Sequence, residues 1–344
     1  MQVTTQSIND FFDRMRGGCA SRMGYELAGL DFDAWQATFR EELIDLLRLR
    51  PINPDPPPVE VMEIQSFDGY SRHLLHLHTD DGVVVPMFML VPDGIAEPVP
   101  AVLAIHGHGP GKCIPVGQPP AGYDRQGMIV EGQRDYAVQA VRAGMIAIAP
   151  DLRGMGELVL DDEVSRREGR SCVQMSMRAI QCGQTLLGMR VADLMQIVTW
   201  LRERPDVDAD RIAATGNSGG GTCTLFLAAV DTRVAAAVPS CYFCTFADSI
   251  LAIHHCPDNY VPDLQLYGEM YDVAGLIAPR PLLIVAGKDD PIFPLAGVRN
   301  AYAKLEKIYA AADAADRLEL YVGDGGHRYF SQRVWPFLAE KFGA

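Results

Sequence analysis

The stretch Ala213 to Thr222 reads AATGNSGGGT, and it fixes where the strands and helices around it must lie. Arg211 to Thr215 is a short apolar run centred on Ile212, and Gly216-Asn217-Ser218-Gly219-Gly220 follows at once in the pattern G-x-S-x-G. Behind it, Leu225, Phe226 and Ala229 recur at helical spacing. The serine therefore lies between a predicted strand and a predicted helix. Glycines on either side let the backbone turn sharply enough to lift a hydroxyl above a sheet edge, and the amide end of the helix adds positive potential there. Glycine-rich loops produce this pattern by chance as well. Its meaning depends on whether the chain also supplies a base, an acid and a site for an oxyanion.

Working outward, Val61 to Ser66, His73 to Thr79 and Val83 to Val91 are predicted strands, and Asp68-Gly69 and Asp80-Asp81-Gly82 between them are turn signals of an antiparallel opening. Ala101 to Ile105 is a continuous apolar run, as expected of a strand covered on both faces. It ends in His106-Gly107-His108-Gly109. A helix over Tyr136 to Arg142 leads to a buried strand at Met145 to Ala149. Leu187, Val191, Leu194, Val198 and Leu201 mark one face of a long helix that Pro205 stops. Beyond the serine, strands are predicted at Val234 to Val238, Pro281 to Ala286 and Leu318 to Val322, with helices over Val298 to Ala311 and Tyr329 to Phe342. Alternation of this kind implies right-handed crossovers and a mostly parallel sheet. Ligands of such sheets sit at the carboxyl ends of the strands.

Ahead of the sheet, Phe32, Trp35, Phe39, Leu43, Leu46 and Leu47 predict an amphipathic helix from Asp31 to Leu49, capped by Asp31 or Asp33. PINPDPPP, from Pro51 to Pro58, then reads as a stiff extended connector. Residues 1–58 are thus expected to be a helical extension with a proline-rich connector, and 59–344 an α/β catalytic domain. Insertions are expected at about 107–132, 161–182 and 240–271. The second of these, Asp161 to Cys182, is polar and weakly periodic, and is expected to lie over the sheet rather than in the core.

The 344 residues are 48% hydrophobic and 22% charged, which are globular values. A formal charge of −14 argues against binding nucleic acid or an anionic membrane. No apolar stretch approaches membrane-spanning length, and the opening MQVTTQSINDFFDRMRGG does not resemble a signal peptide. The eight cysteines are scattered, as in a reducing cytoplasm with free thiols. A small-molecule ester is the expected partner, and a homo-oligomer is weakly expected.

If Ser218 is a nucleophile, its base should follow the acid in the chain order Ser, Asp/Glu, His. Of the eight histidines, His327 alone lies beyond the last strand, in Gly323-Asp324-Gly325-Gly326-His327. The acid should follow the strand Pro281 to Ala286, where Gly287-Lys288-Asp289-Asp290-Pro291 offers two carboxylates. Asp290 is preferred because Pro291 restrains it and the turn has by then cleared the strand. Asp289 reads as a turn former, and Asp151 and Asp324 as weaker candidates. The oxyanion needs two backbone donors: Gly219, directly after the nucleophile, and His108, where Gly107 lets the chain swing inward. Acyl transfer of this kind calls for no metal or organic cofactor.

Together GNSGGG, HGHG, Asp151-Leu152-Arg153-Gly154, GKDDPIFP and GGH resemble the α/β-hydrolase superfamily, most closely its dienelactone-hydrolase and acetyl xylan esterase-like branch. The similarity runs from about Val83 to the C-terminus and includes Leu276-Ile277-Ala278-Pro279-Arg280-Pro281. It implies a carboxylic-ester hydrolase, with Ser218, Asp290 and His327 matching the triad and His108 and Gly219 the oxyanion donors. An acetylated carbohydrate is among the substrates it suggests. A serine peptidase of the same fold and a catalytically silent binding protein are the competing readings.

Cys241-x-x-Cys244, with His254, His255 and Cys256 downstream, has some of the donors of a zinc site, but not the usual spacing of two separated couples. Packed thiols and pocket lining are expected instead. Arg153, Tyr242 and Tyr267 are candidates for the substrate pocket or for lid packing. His73, His76 and His78 lie on a predicted strand and are given no role.

Overall fold

In the computed structural model, which describes residues 5–19 and 21–343, the apolar runs become one nine-stranded sheet among those residues. Its strands are β1 (Val59–Phe67), β2 (Tyr70–His78), β3 (Val84–Pro92), β4 (Val99–Ile105), β5 (Ile146–Pro150), β6 (Val207–Asn217), β7 (Ala236–Ser240), β8 (Leu282–Gly287) and β9 (Leu318–Gly323). Their spatial order is β1-β2-β3-β5-β4-β6-β7-β8-β9. The first three strands form the expected antiparallel opening, and β3 joins β5 antiparallel. From β5 to β9 every neighbour is parallel. The helices are α1 (Thr5–Gly17), α2 (Phe32–Leu47), α3 (Tyr136–Arg142), α4 (Glu163–Glu168), α5 (Cys172–Gln181), α6 (Leu186–Arg202), α7 (Gly219–Val230), α8 (Leu264–Tyr267), α9 (Met270–Gly275), α10 (Leu295–Ala311) and α11 (Val334–Phe342).

The parallel strands have continuous apolar sequences because helices cover both their faces: all five residues of β5 and of β7 are buried, as are all six of β8. One core cluster gathers α2, α6, α7, α9 and α10 on one face, and another packs α3 and α11 on the opposite face. Within the first cluster lies α7, every residue of which is buried. This helix carries the serine's backbone into the centre of the molecule.

The helix expected from Asp31 to Leu49 is α2. Asp31 is its cap, with Oδ1 accepting from the Ala34 amide at 2.9 Å. The helix stops at Leu47 because Arg48 adopts a left-handed conformation at φ 59°. Its apolar stripe rests on the main core: Trp35, Phe39, Leu43 and Leu47 are wholly buried, and Gln36 and Arg40 donate to the Leu276 carbonyl from the same helix. At its end, the Leu47 carbonyl accepts from Thr185 Oγ1 at 2.8 Å. A Cβ on Gly188 would stand 1.9 Å from that carbonyl oxygen, so only glycine allows the approach of α6.

Two expectations differ from the structure. Asp161 to Cys182 folds as α4 and α5, and Cys172, Ser176 and Ala179 on α5 are buried. This face of small side chains carries a weak hydrophobic signal, so the sequence reads as a surface insertion although Cys172 belongs to the core. The last helix begins at Val334 rather than Tyr329, because the Tyr329 amide turns away to donate to the Gly132 carbonyl at 3.1 Å. The N-terminal segment forms α1, with Ile8, Phe11, Phe12 and Met15 exposed.

Trp35 sets the strength of the α2 attachment. It lies edge-on to Tyr25 with ring centroids 5.0 Å apart, and its Nε1 donates to the Met23 carbonyl at 2.6 Å. Trp35→Ala should cost about 3–5 kcal/mol through cavity formation alone. Urea unfolding should show a lowered midpoint, and an unchanged midpoint would mean that α2 is not part of the cooperative core.

Candidate active site

Ser218 stands between the last residue of β6 and the first of α7, with φ 57° and ψ −119°. A non-glycine residue in this conformation is strained and persists only where its surroundings enforce it. The enforcement is visible on both sides. The Ser218 amide donates to the Ser240 carbonyl at 2.8 Å, and its own carbonyl accepts from the Thr222 amide at 2.9 Å. A Cβ on Gly216 would lie 2.4 Å from the Ile105 oxygen, and one on Gly220 only 2.0 Å from it. The glycines of the motif are thus demanded by the close passage of the end of β4.

His327 follows β9 and reaches back to the loop after β8. Its Nδ1 lies 2.8 Å from Asp290 Oδ2, while Asp290 Oδ1 accepts from the Ile292 and Phe293 amides at 2.8 and 3.2 Å. Burial alone would raise the Asp290 pKa, but the hydrogen bond and charge of His327, with the two amides, outweigh it and hold the carboxylate below its ordinary value. The Phe293 ring stacks on His327 with centroids 6.0 Å apart, which fixes the plane of the imidazole. Asp289 is exposed and contributes its amide to Gly325 instead. Asp324 is also exposed, and Asp151 is buried against the Lys112 ammonium, 2.9 Å away.

The loop after β4 packs directly on the serine turn. At Gly107 a Cβ would stand 2.5 Å from the Asn217 oxygen, and at Gly219 one would lie 3.0 Å from His108 Nδ1 and 3.6 Å from the His108 amide nitrogen. His108 and Gly219 therefore sit against each other. The His108 Nε2 lies 2.9 Å from Asp258 Oδ2, to which Arg190 Nη1 also donates at 2.6 Å. Burial would lower the His108 pKa, but the Asp258 charge and hydrogen bond outweigh it and raise it to about 9. Asp258 is correspondingly held far below the carboxylate range, against its own burial, by Arg190 and His108. His106, wholly buried, is kept neutral by burial and accepts from the Leu152 amide at 3.1 Å.

Ser218, His327 and His108 line one cavity of about 310 Å³, together with Arg134, Arg170, His254, His255, Cys256 and several apolar residues. The three candidates for the pocket or for lid packing do not line this cavity. Arg153 is held between Asp193 and Asp81 and borders a separate cavity beside α6. Tyr242 is fully buried, edge-on to Phe293 at 5.4 Å. Tyr267 lies under the Arg22 guanidinium, and its carbonyl accepts from the Met23 amide. Each was placed near the site by position along the chain, whereas neighbouring charge and packing decide where the side chain goes. Arg134, Arg170, Asp258 and Arg190 were not singled out from sequence. Arg170 lies within the second expected insertion and Asp258 within the third, and Arg134 just past the first, so loop position was the available signal.

Two groups of side chains bring potential metal donors within 4.8 Å of one another. Cys241, Asp290 and His327 form one, but burial pushes the Cys241 thiol up to about 12 and His327 already engages Asp290. His108, Cys172, Cys256 and Asp258 form the other. There the Arg190 guanidinium, 3.3 Å from Cys172 Sγ and 2.6 Å from Asp258, stands with its own positive charge where a cation would be held. Hydrogen bonding from Cys256, against the effect of burial and aided by His108 and Arg190, lowers the Cys172 pKa to about 5. Cys241 and Cys244, expected as packed thiols, are both buried.

A mostly parallel sheet flanked by helices, with a serine on the tight turn from β6 into α7, defines the α/β-hydrolase class. Residues 3–313 match the model described as the Abhydrolase family, and the chain belongs to that family. The match begins well ahead of Val83, where the motif resemblance starts. A Bacillus subtilis (strain 168) protein named "Putative hydrolase YtaP" is 28% identical over 296 residues, covering 82% of this chain and 91% of the relative. The "putative acetyl xylan esterase" of Bacteroides fragilis NCTC 9343 superposes with a TM-score of 0.78 at 21% identity, covering 94% of this chain and 83% of that one. The glucuronoyl esterase from Solibacter usitatus superposes with a TM-score of 0.69 at 15% identity, covering 91% and 94%. At these identities the superpositions speak for the fold.

The raised His108 pKa has a consequence for stability. Because protonated His108 is favoured in the folded state, its contribution is complete below the ordinary histidine value of about 6.5 and is lost as the pH rises through about 9. The difference in unfolding midpoint between the wild type and His108→Gln should therefore be largest near neutral and acidic pH and shrink towards alkaline pH. A difference that stays constant across that range would contradict the ion pair.

Proposed function

We propose that the chain is a serine carboxylic-ester hydrolase acting through an acyl-enzyme. The observation that carries this reading is the 2.8 Å contact of His327 Nδ1 with Asp290 Oδ2, at the wall of the cavity that Ser218 lines. With Nδ1 engaged, Nε2 is the ring nitrogen left to take the Ser218 proton as Oγ attacks the ester carbonyl. Asp290 fixes the tautomer and stabilises the imidazolium without itself taking the proton. The oxyanion is received by the amides of Gly219 and His108, whose residues pack against one another. The imidazolium then protonates the leaving alcohol, and a water activated by His327 releases the acid.

The cavity, about 310 Å³, suits a small or moderately sized ester. An acetylated carbohydrate is within this reading, supported by the acetyl xylan esterase and glucuronoyl esterase named among the structural relatives. No helix of the described residues is long and apolar enough to cross a membrane. A cytoplasmic location is part of this proposal, supported by eight cysteines that stand as free thiols.

Ser218→Ala should reduce turnover of 4-nitrophenyl acetate by at least about a thousandfold while leaving the circular dichroism spectrum unchanged. The same substitution should abolish labelling by a fluorophosphonate probe. Wild-type turnover in the variant would overturn the nucleophile, and wild-type protein that neither labels nor hydrolyses esters would point to a silent binding protein. Faster cleavage of aminoacyl anilides than of esters would favour a peptidase.

A further inference from the structure

The charge lining the Ser218 cavity is opposite to that of the chain. The whole sequence carries 44 acidic residues against 30 lysines and arginines, yet the cavity is lined by Arg134, Arg170 and four histidines, with no aspartate or glutamate among its lining residues. Four other arginines, Arg153, Arg190, Arg233 and Arg333, each contact a carboxylate. Arg134 does not. Its Nη2 donates to the His327 carbonyl at 3.3 Å, and its Nε is buried without a hydrogen-bond partner in the protein. Arg170 is exposed and, among the described residues, has neither an ion pair nor a hydrogen bond. A buried guanidinium N–H left unpaired is costly, so an acceptor that reaches it gains more than one at the open surface.

We propose that this cavity takes an ester bearing a carboxylate in addition to the ester group, held by Arg134 with Arg170 beside it. This rests on the serine-hydrolase reading above. A carboxylate matches the planar fork of a guanidinium. Screening reduces the repulsion from the rest of the acidic surface, since the Debye length is about 8 Å at physiological salt. The two arginines lining the cavity therefore decide its affinity. Arg134 also bonds the backbone of the catalytic base, so a bound carboxylate would sit one residue's reach from His327.

The test compares charged esters with neutral isosteres. One pair is 4-acetoxybenzoate and 4-acetoxybenzamide, with the charge on the alcohol side. The other is the 4-nitrophenyl monoester of adipic acid and its terminal primary amide, with the charge on the acyl side. In at least one pair the carboxylate should have kcat/KM about tenfold higher or more, and 1 M NaCl should weaken the preference. Arg134→Gln should bring the ratio close to one, and Arg170→Gln should reduce it. Because Arg170 is exposed, its variant keeps the test decisive should Arg134→Gln fail to fold. Neutral members that match or exceed the carboxylates in both pairs, or a preference that survives these substitutions, would overturn the proposal. Failure of the underlying reading looks different: Ser218→Ala would then still turn over both members of a pair.

Discussion

The end of β4 passes hard against the turn that carries Ser218. The Ile105 carbonyl lies so near Gly216 and Gly220 that a methyl group at either would be 2.4 or 2.0 Å from its oxygen. Much of the site's geometry follows from this contact. It aligns the ends of β4 and β6, whose pairing runs in parallel register up to Ile105 and Gly216. The loops that leave these two strands must then lie side by side, which presses Gly107 on Asn217 and His108 on Gly219. The strained backbone of Ser218 is the conformational cost of that arrangement, offset by the fully buried helix behind it.

A second set of contacts brings in the C-terminal loop. Tyr136, at the start of α3, donates its hydroxyl to the same Ile105 carbonyl at 2.7 Å, and its ring packs on Tyr329 with centroids 4.6 Å apart. The Tyr329 hydroxyl meets Thr215 Oγ1 at 3.0 Å, and its amide bonds Gly132. Two residues before Tyr329 stands His327. The aromatic pair thus connects the serine turn, the loop that carries Arg134 and the loop of His327. Loops long enough to shape a pocket are held to one geometry by the packing behind it.

How much of this was legible in the sequence follows from how local each signal is. The strands from Ala101 to Ile105 and from Pro281 to Ala286 are readable because burial on both faces demands uninterrupted apolar residues. The positions of Ser218, Asp290 and His327 are readable because each follows closely on a strand whose apolar run marks it. The preference for Asp290 over Asp289 follows from Pro291, and the structure has Asp290 buried against His327 with Asp289 exposed. The cluster of His108, Arg190 and Asp258 was not legible, since its members lie on three segments and each alone reads as an ordinary polar residue. Of the two readings left open for Tyr242, pocket lining or packing, the structure has packing. An aromatic residue in a loop beside the site is as readily packed beneath it, and here Gly221 accommodates it: a Cβ on that glycine would lie 2.8 Å from the Tyr242 Cβ.

The electrostatics of the site divide into a balanced part and an unbalanced one. Beneath the His108 loop, Asp258 answers both His108 and Arg190, and Cys172 lies against the same guanidinium. Breaking such a buried set by removing one member would leave an uncompensated charge, so it holds the loop in place without directing substrate. At the base, Asp290 similarly answers His327. Arg134 and Arg170 stand outside both arrangements. Neither meets a carboxylate among the described residues, and burial of the unpaired Arg134 Nε costs stability. A carboxylate ligand of the kind proposed above would offset that cost.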